Sequence, residues 1–328
     1  MLFYDLVKKD LATLEEELVA YIPREPEEVY NFLVPYIKRG GKRIRPLLFF
    51  LSCNEFGGIS SRYVKHASLI ELFHNFTLIH DDIEDNSELR RGKPALHKEV
   101  GLPIALNSGD ALYTVLWQEI LLLQHAGKSS EKISHMYISA FRKVVEGQGI
   151  ELNWHAKNIF AISESEYIDM IAGKTSALLS LSCELGGYLG GASAAEQEIL
   201  KNIGYYIGLA FQIQDDILNV TGTVEKYKKE IGGDISEGKR TLMIVYALTH
   251  GSEKEQKIIL RVLSSHSKNQ DDIASVISIL TSTGALTYAQ KKANLFKTKA
   301  IEYISLLKDS KEKKALLEIA HYAVSREE

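Results

Sequence analysis

The six prolines of this 328-residue chain, Pro23, Pro26, Pro35, Pro46, Pro94 and Pro103, all lie in its first third, and none follows. Proline lacks an amide hydrogen and its ring clashes with the preceding turn, so it breaks helix interiors. So long a stretch without it predicts a succession of long helices. Neither Asn-Gly nor Asp-Gly, the dipeptides of the tightest β-hairpins, occurs anywhere. Apolar residues recur at three- and four-residue spacing. Leu2, Phe3, Leu6, Leu11, Leu14 and Leu18 form one stripe, and Leu112, Val115, Leu116 and Leu123 line another, which the charged Glu119 interrupts. No low-complexity linker separates domains, and the chain reads as a single all-α domain, residues 1–328.

A formal net charge of −4 leaves no basic excess to displace counterions from nucleic acid. The two cysteines, Cys53 and Cys183, are far apart in sequence and read as small core residues in a reducing compartment. Asp5, Lys8, Lys9 and Asp10 interrupt the opening stretch where a signal peptide has its apolar core. No uncharged apolar run reaches the ~18 residues of a membrane span. A soluble, cytoplasmic protein is expected.

Two acidic clusters stand out. In "HDDIED", Asp81 and Asp85 are four apart and share a helix face, with Asp82 beside them. Close carboxylates repel unless a cation binds, and oxygen-only ligands suit magnesium, which shares substrate phosphates and keeps waters. On its own such a run is more often a solvated helix face. The second cluster, "FQIQDDILN", puts Asp215 and Asp216 among Leu209, Phe211, Ile213, Ile217 and Leu218, with Asn219 closing the same frame. Adjacent acids in an apolar stretch are costly to bury unpaired, which favours a functional reading. The two clusters are expected to face each other across a cleft and hold metal ions.

Basic residues answer them. "RGGKRIRP" puts Lys42, Arg43 and Arg45 at a helix start, where the macrodipole disfavours cations unless an anion binds. "RRGK" supplies Arg90 and Arg91, and "KKEIGGDISEGKRT" supplies Lys228, Lys229, Lys239 and Arg240. "AGKTS" contributes Lys174 and Thr175, but it is not a Walker loop, because Ile168 stands where the upstream glycine belongs. The "GGYLGG" stretch at Gly186–Gly191 lacks a phosphate-loop lysine and suits close helix packing. His74, Glu151 and Gln212 say little singly. Two acidic clusters plus separate cation groups suggest two diphosphates, one bound through metal and one through salt bridges.

With these motifs in order, the chain resembles the trans-isoprenyl diphosphate synthases of the polyprenyl synthetase family. The resemblance runs through "GGKRIRP", "LIHDDIEDNSELRRGKP", "EGQGIEL", "GKTSALL", "FQIQDDILN", "KKEIGGDISEGKRT" and "LLEIAHYAVSRE". It implies an all-α bundle of long, mostly antiparallel helices around a deep central cavity (the isoprenoid synthase type I fold), usually as a homodimer. It implies that Asp81, Asp82, Asp85 and Asp215, with Asp216, bind Mg2+ and the allylic diphosphate. Arg90, Lys174, Thr175, Gln212, Lys229 and Lys239 match residues that contact that diphosphate. Lys42, Arg45, His74 and Arg91 match the isopentenyl diphosphate site.

Three positions depart from the family pattern: Asn219 replaces the last Asp of the second motif, Glu151 replaces a commoner Asp, and Lys228 replaces a glycine. The family chemistry ionises the allylic C–O bond. The isopentenyl double bond then attacks the allyl cation, and the departing diphosphate takes the proton. Product length is assigned by resemblance to Phe76 and Thr77, which precede Asp81. An aromatic at Phe76 without an insertion in the first motif resembles archaeal-type geranylgeranyl diphosphate synthases. Helix geometry alone leaves Phe76 equally a packed core aromatic. Farnesyl or longer products, a terpene cyclase, and a non-catalytic partner subunit stay open as alternatives.

Overall fold

The computed structural model describes residues 1–123, 127–222 and 231–326. Its regular structure is helical apart from one short hairpin, as the proline distribution predicts. The helices of eight residues or more are α1 (Leu2–Ala20), α2 (Ile44–Glu55), α3 (Val64–Glu84), α4 (Leu102–Leu122), α5 (Ser130–Ala156), α6 (Glu164–Ile171), α7 (Ala177–Gly190), α8 (Ala194–Thr221), α9 (Leu242–His250), α10 (Glu253–Ser264), α11 (Gln270–Ser282), α12 (Ala285–Ser305) and α13 (Lys311–Ser325). Pro103 sits in the first turn of α4, where its missing amide leaves no intrahelical bond unmade. No helix among the described residues is long and apolar enough to cross a membrane.

The chain forms two compact units, each assembled from separate stretches of sequence. One comprises Met1–Phe141, Leu178–Gly204 and Ile304–Glu318; the other comprises Arg142–Ala177, Tyr205–Tyr303 and Ile319–Glu328. The first buries Leu14 and Leu18 of α1, Phe49 and Phe50 of α2, and Phe73 of α3, whose ring stacks on Phe141 at 3.7 Å. Each such side chain contributes about 1.5–3 kcal/mol by leaving water. Helix α7 meets α2 through its glycines: a Cβ at Gly186 would stand 2.2 Å from the Phe49 carbonyl, and one at Gly190 2.3 Å from that of Cys53. The "GGYLGG" stretch is therefore a helix-packing surface. Cys53 and Cys183 are free, and burial pushes both thiols up to about 12.

In the second unit, Tyr167, Met170 and Ile171 of α6 pack with Ile213 and Ile217 of α8, Ile244 of α9, Ile259 of α10, Val276 of α11 and Ala289 of α12. Helices α6 and α10 start at capping boxes, Ser163 with Glu166 and Ser252 with Glu255, which satisfy otherwise orphaned amides.

The hairpin pairs Leu89–Arg90 with Lys93–Pro94. Its two-residue turn is Arg91-Gly92, with φ of 55° and 72°. Positive φ at both positions is the primed turn whose twist matches paired strands. Arginine, rather than Asn or Asp, takes the first position, so the usual dipeptide cue of a hairpin is missing.

Candidate active site

In the first unit, Asp81 and Asp82 lie in the last turn of α3, and Asp85 caps it, its amide donating to the Asp81 carbonyl at 2.8 Å. The one-turn spacing expected of Asp81 and Asp85 is present. The hairpin returns Arg90 to this helix end. Its Nε donates to Asp82 Oδ1 at 2.7 Å, its Nη2 also contacts that oxygen, and Nη2 reaches Asp81 Oδ2 at 3.3 Å. Burial raises the Asp82 carboxyl against the pull of Arg90. Its other oxygen, Oδ2, is buried without a hydrogen-bond partner.

The cations at the start of α2 have different fates. Arg43 caps the helix at φ 51° and is buried. Its Nε and Nη2 bond the two Glu15 carboxylate oxygens at 2.6 and 2.9 Å, and its Nη1 bonds Glu71 Oε1 at 2.8 Å. Its charge is thus answered within the fold. Arg45 has a buried Nε with no partner, and burial, with Arg91 adding to it against Glu71, lowers its guanidinium to about 10. Arg91 packs against Gly41, where a Cβ would stand 2.9 Å from Nη2. His74 is held well below the usual imidazole range by burial, then by Arg45, Arg91, Arg90 and Arg43. Lys42 adjoins this group, its carbonyl accepting from the Tyr4 hydroxyl at 2.9 Å. The structure thus brings Arg45, Arg91 and His74 together, with the backbone of Lys42 beside the start of the same helix.

Higher on α3, Phe76 is half-buried. Its ring stacks on Tyr113 of α4 at 4.8 Å and lies 5.5 Å from Phe73 and 4.6 Å from His80. Thr77 Oγ1 is turned back onto the His74 carbonyl at 2.8 Å.

In the second unit, α8 carries Asp215 and Asp216. Asp216 is buried and accepts from the Tyr167 hydroxyl at 2.6 Å and Gln212 Nε2 at 2.9 Å. Burial, then Asp234, pushes its carboxyl up to about 8. Thr175 Oγ1 donates to Gln212 Oε1 at 2.8 Å, so Thr175, Gln212, Asp216 and Tyr167 form one chain of hydrogen bonds. Lys174 Nζ donates to Glu151 Oε2 at 2.6 Å.

Both Lys174 and Thr175 sit on a π-helical turn, Ala172–Ser176, inserted between α6 and α7. Such turns carry an extra residue and redirect side chains. Helix α5 lies against this turn through Gly147, where a Cβ would stand 2.3 Å from the Lys174 amide nitrogen and 2.8 Å from the Met170 carbonyl. Neither the turn nor its glycine contact was evident from apolar periodicity.

Three further residues have roles the sequence did not reveal. Asn219 stands where the family pattern has the last Asp of the second motif. Its Oδ1 accepts the Asp234 amide at 3.1 Å, and its backbone carbonyl accepts that of Gly232 at 2.7 Å. Arg240 serves the fold: its Nε and Nη2 bond the carbonyls of Ile159 and Trp154 at 3.0 Å each, and it lies over the Phe160 ring. Arg326, after α13, pairs with Asp215 at 3.0 Å. Lys239 pairs with Asp234 and Glu237 at 3.4 and 2.6 Å. Lys228 and Lys229 lie outside the described residues.

The residues fit a hard divalent cation. Asp82 presents a buried carboxylate oxygen with no hydrogen-bond partner, and burial and the neighbouring acids Asp234 and Asp215 push the Asp216 carboxyl up, an effect that a nearby cation offsets. The donors at both motifs are oxygens. Among the described residues, no three acidic, His or Cys side chains form a preassembled metal cage.

Comparison with known proteins gives consistent matches over nearly the whole chain. The family model for polyprenyl synthetase matches residues 26–280. A short chain isoprenyl diphosphate synthase of Methanothermobacter thermautotrophicus is 36% identical over 302 residues, 92% of this chain and 91% of that one. A geranylgeranyl diphosphate synthase of Sulfolobus acidocaldarius is 32% identical over 332 residues, 99% of each. A polyprenyl synthase from Caulobacter crescentus CB15, solved in complex with calcium and isoprenyl diphosphate, superposes with a TM-score of 0.91 at 27% identity, covering 100% of this chain and 98% of that one.

Proposed function

Given that this chain belongs to the polyprenyl synthetase family, with its all-α isoprenoid synthase fold, we propose that it condenses isopentenyl diphosphate with an allylic diphosphate (dimethylallyl, geranyl or farnesyl) to make a linear trans-prenyl diphosphate, chiefly geranylgeranyl diphosphate. It is a prenyltransferase. The observation that carries the two-substrate reading is the grouping of Arg45 and Arg91 about His74, cations additional to the Arg90 that pairs with Asp81 and Asp82. A cyclase acting on one diphosphate has no use for it. The geranylgeranyl product is favoured by the Sulfolobus acidocaldarius relative, matched end to end.

In this reading Asp81, Asp82 and Asp85 hold Mg2+ at the end of α3, and Asp215 holds it on α8. Bound magnesium supplies positive charge that stabilises the leaving diphosphate. Arg90, Lys174, Thr175, Gln212, Lys229 and Lys239 bind diphosphate oxygens, Arg90 and Lys174 exchanging their present carboxylate partners for them. Lys42, Arg45, His74 and Arg91 orient the isopentenyl diphosphate so that its double bond meets the allylic carbon. Protonation of His74 on anion binding adds a further donor. Residues 1–328 act as one catalytic domain, in the cytoplasm and as a homodimer. Leu102 and Leu106, exposed one turn apart on α4, support an apolar subunit contact.

Incubating the purified chain with Mg2+, isopentenyl diphosphate and dimethylallyl diphosphate, then separating the products, tests the proposal. Linear geranylgeranyl diphosphate is expected. Cyclised hydrocarbon, or no turnover unless a second protein is added, overturns it. In the same assay Phe76→Ser is expected to shift the products to longer chains, because it removes the ring stacked on Tyr113. An unchanged distribution would take the chain-length role away from Phe76.

Lys42→Ala separates the two diphosphates. Losing one charge-assisted bond costs about 1.5–3 kcal/mol, or roughly 10- to 100-fold. That loss should appear in the KM for isopentenyl diphosphate, with the allylic KM within about threefold of the parent. Equal effects on both KM values would mean that the sites are wrongly assigned.

A further inference from the structure

We propose that Arg326 is the resident counter-ion of the second acidic motif, and that it makes metal uptake at Asp215 conditional on the arrival of a diphosphate. The inference rests on Asp215 being a metal ligand, as the proposed function has it. Arg326 Nη2 donates to Asp215 Oδ1 at 3.0 Å and to the Phe211 carbonyl at 2.9 Å, and its guanidinium carbon lies 3.6 Å from the centre of the Phe211 ring. Phe211 and Asp215 are one turn apart on α8, so one guanidinium covers one helix face. The Arg326 side chain is 4% exposed, against 28% for Asp215.

A guanidinium stays charged at any pH at which proteins fold. Burying it without a carboxylate is costly, and Asp215 is the carboxylate this site provides. The pair is close to neutral as a unit. A bare divalent ion approaching Asp215 meets the Arg326 charge at the same carboxylate. Even with solvent screening at a partly exposed acid, that repulsion is enough to weaken binding about tenfold. An ion that arrives with a diphosphate brings its own negative charge, which offsets the guanidinium.

Mn2+ binding to the full chain, followed by electron paramagnetic resonance, tests this without turnover. In the absence of any diphosphate, Arg326→Gln should bind Mn2+ about tenfold more tightly than the parent. Arg326→Lys, which keeps the charge, should stay within about twofold of the parent. Inorganic pyrophosphate should tighten binding to the parent and bring Arg326→Gln and parent to within about twofold of each other. Arg326→Gln binding no more tightly than the parent, or a gap that pyrophosphate leaves unchanged, overturns the proposal. If Arg326→Gln loses its helical circular dichroism, Arg326→Met fills the same space without charge and carries the same expected and overturning outcomes. Asp215→Asn should lose Mn2+ binding at this motif. Parental binding there would instead remove Asp215 as a ligand, a failure separate from that of the Arg326 proposal.

Discussion

Asp81→Ala and Asp215→Asn are each expected to lower turnover about a thousandfold or more while leaving the helical circular dichroism at parental strength. Each change removes an anionic oxygen from a site that, in the proposed function, gathers positive charge on a departing diphosphate. Removing one electrostatic contributor of that kind typically costs 10²- to 10³-fold, and loss of a metal costs more. The fold should survive. Asp81 is half-exposed at a helix end, and its bond from Arg90 Nη2, at 3.3 Å, is the longest of the Arg90 contacts. Asparagine at 215 keeps an oxygen for Arg326 to donate to. Turnover within a few-fold of the parent in either variant would reject the metal assignment for that residue.

Gly147→Ala is expected to lower turnover about a hundredfold and to reduce stability by about 1–3 kcal/mol. The added Cβ would meet the Lys174 amide nitrogen at 2.3 Å and the Met170 carbonyl at 2.8 Å. Both are backbone atoms, so relief requires moving the π-helical turn and the two side chains it presents. Lys174 would lose its aim at Glu151, and Thr175 its bond to Gln212. Thermal unfolding and steady-state kinetics on one preparation check both halves. Parental kinetics with lowered stability would mean that the turn can shift without consequence for the reaction.

The helices were legible because helix periodicity and the absence of proline are local properties, written within a few residues of one another. The one-turn spacing of Asp81 and Asp85 was legible for the same reason. Arg43 was not: its charge is consumed by Glu15 and Glu71, each 28 residues away, a separation that leaves no mark in a local pattern. The π-helical turn was hidden because one extra residue beside a glycine barely disturbs the apolar spacing of its flanks. Arg326 lay within a motif that carried the family resemblance, yet nothing in "HYAVSRE" says which acid it meets. Asn219 keeps its place in the motif's frame, yet its side-chain oxygen accepts the amide of Asp234, 15 residues on, which no local pattern shows.

The turn at Arg91-Gly92 sets backbone comfort against charge. A left-handed backbone costs a side chain with a Cβ about 1–2 kcal/mol, and Arg91 accepts that cost at φ 55°. Glycine or asparagine would relax the turn and firm up the hairpin that returns Arg90 to Asp82. Either would also delete a guanidinium from the cluster around His74. If that cluster binds the second diphosphate as proposed, selection for thermostability alone would drift toward a sturdier protein that binds it poorly. Position 91 is a place to expect antagonism between robustness and activity in any engineered library of this chain.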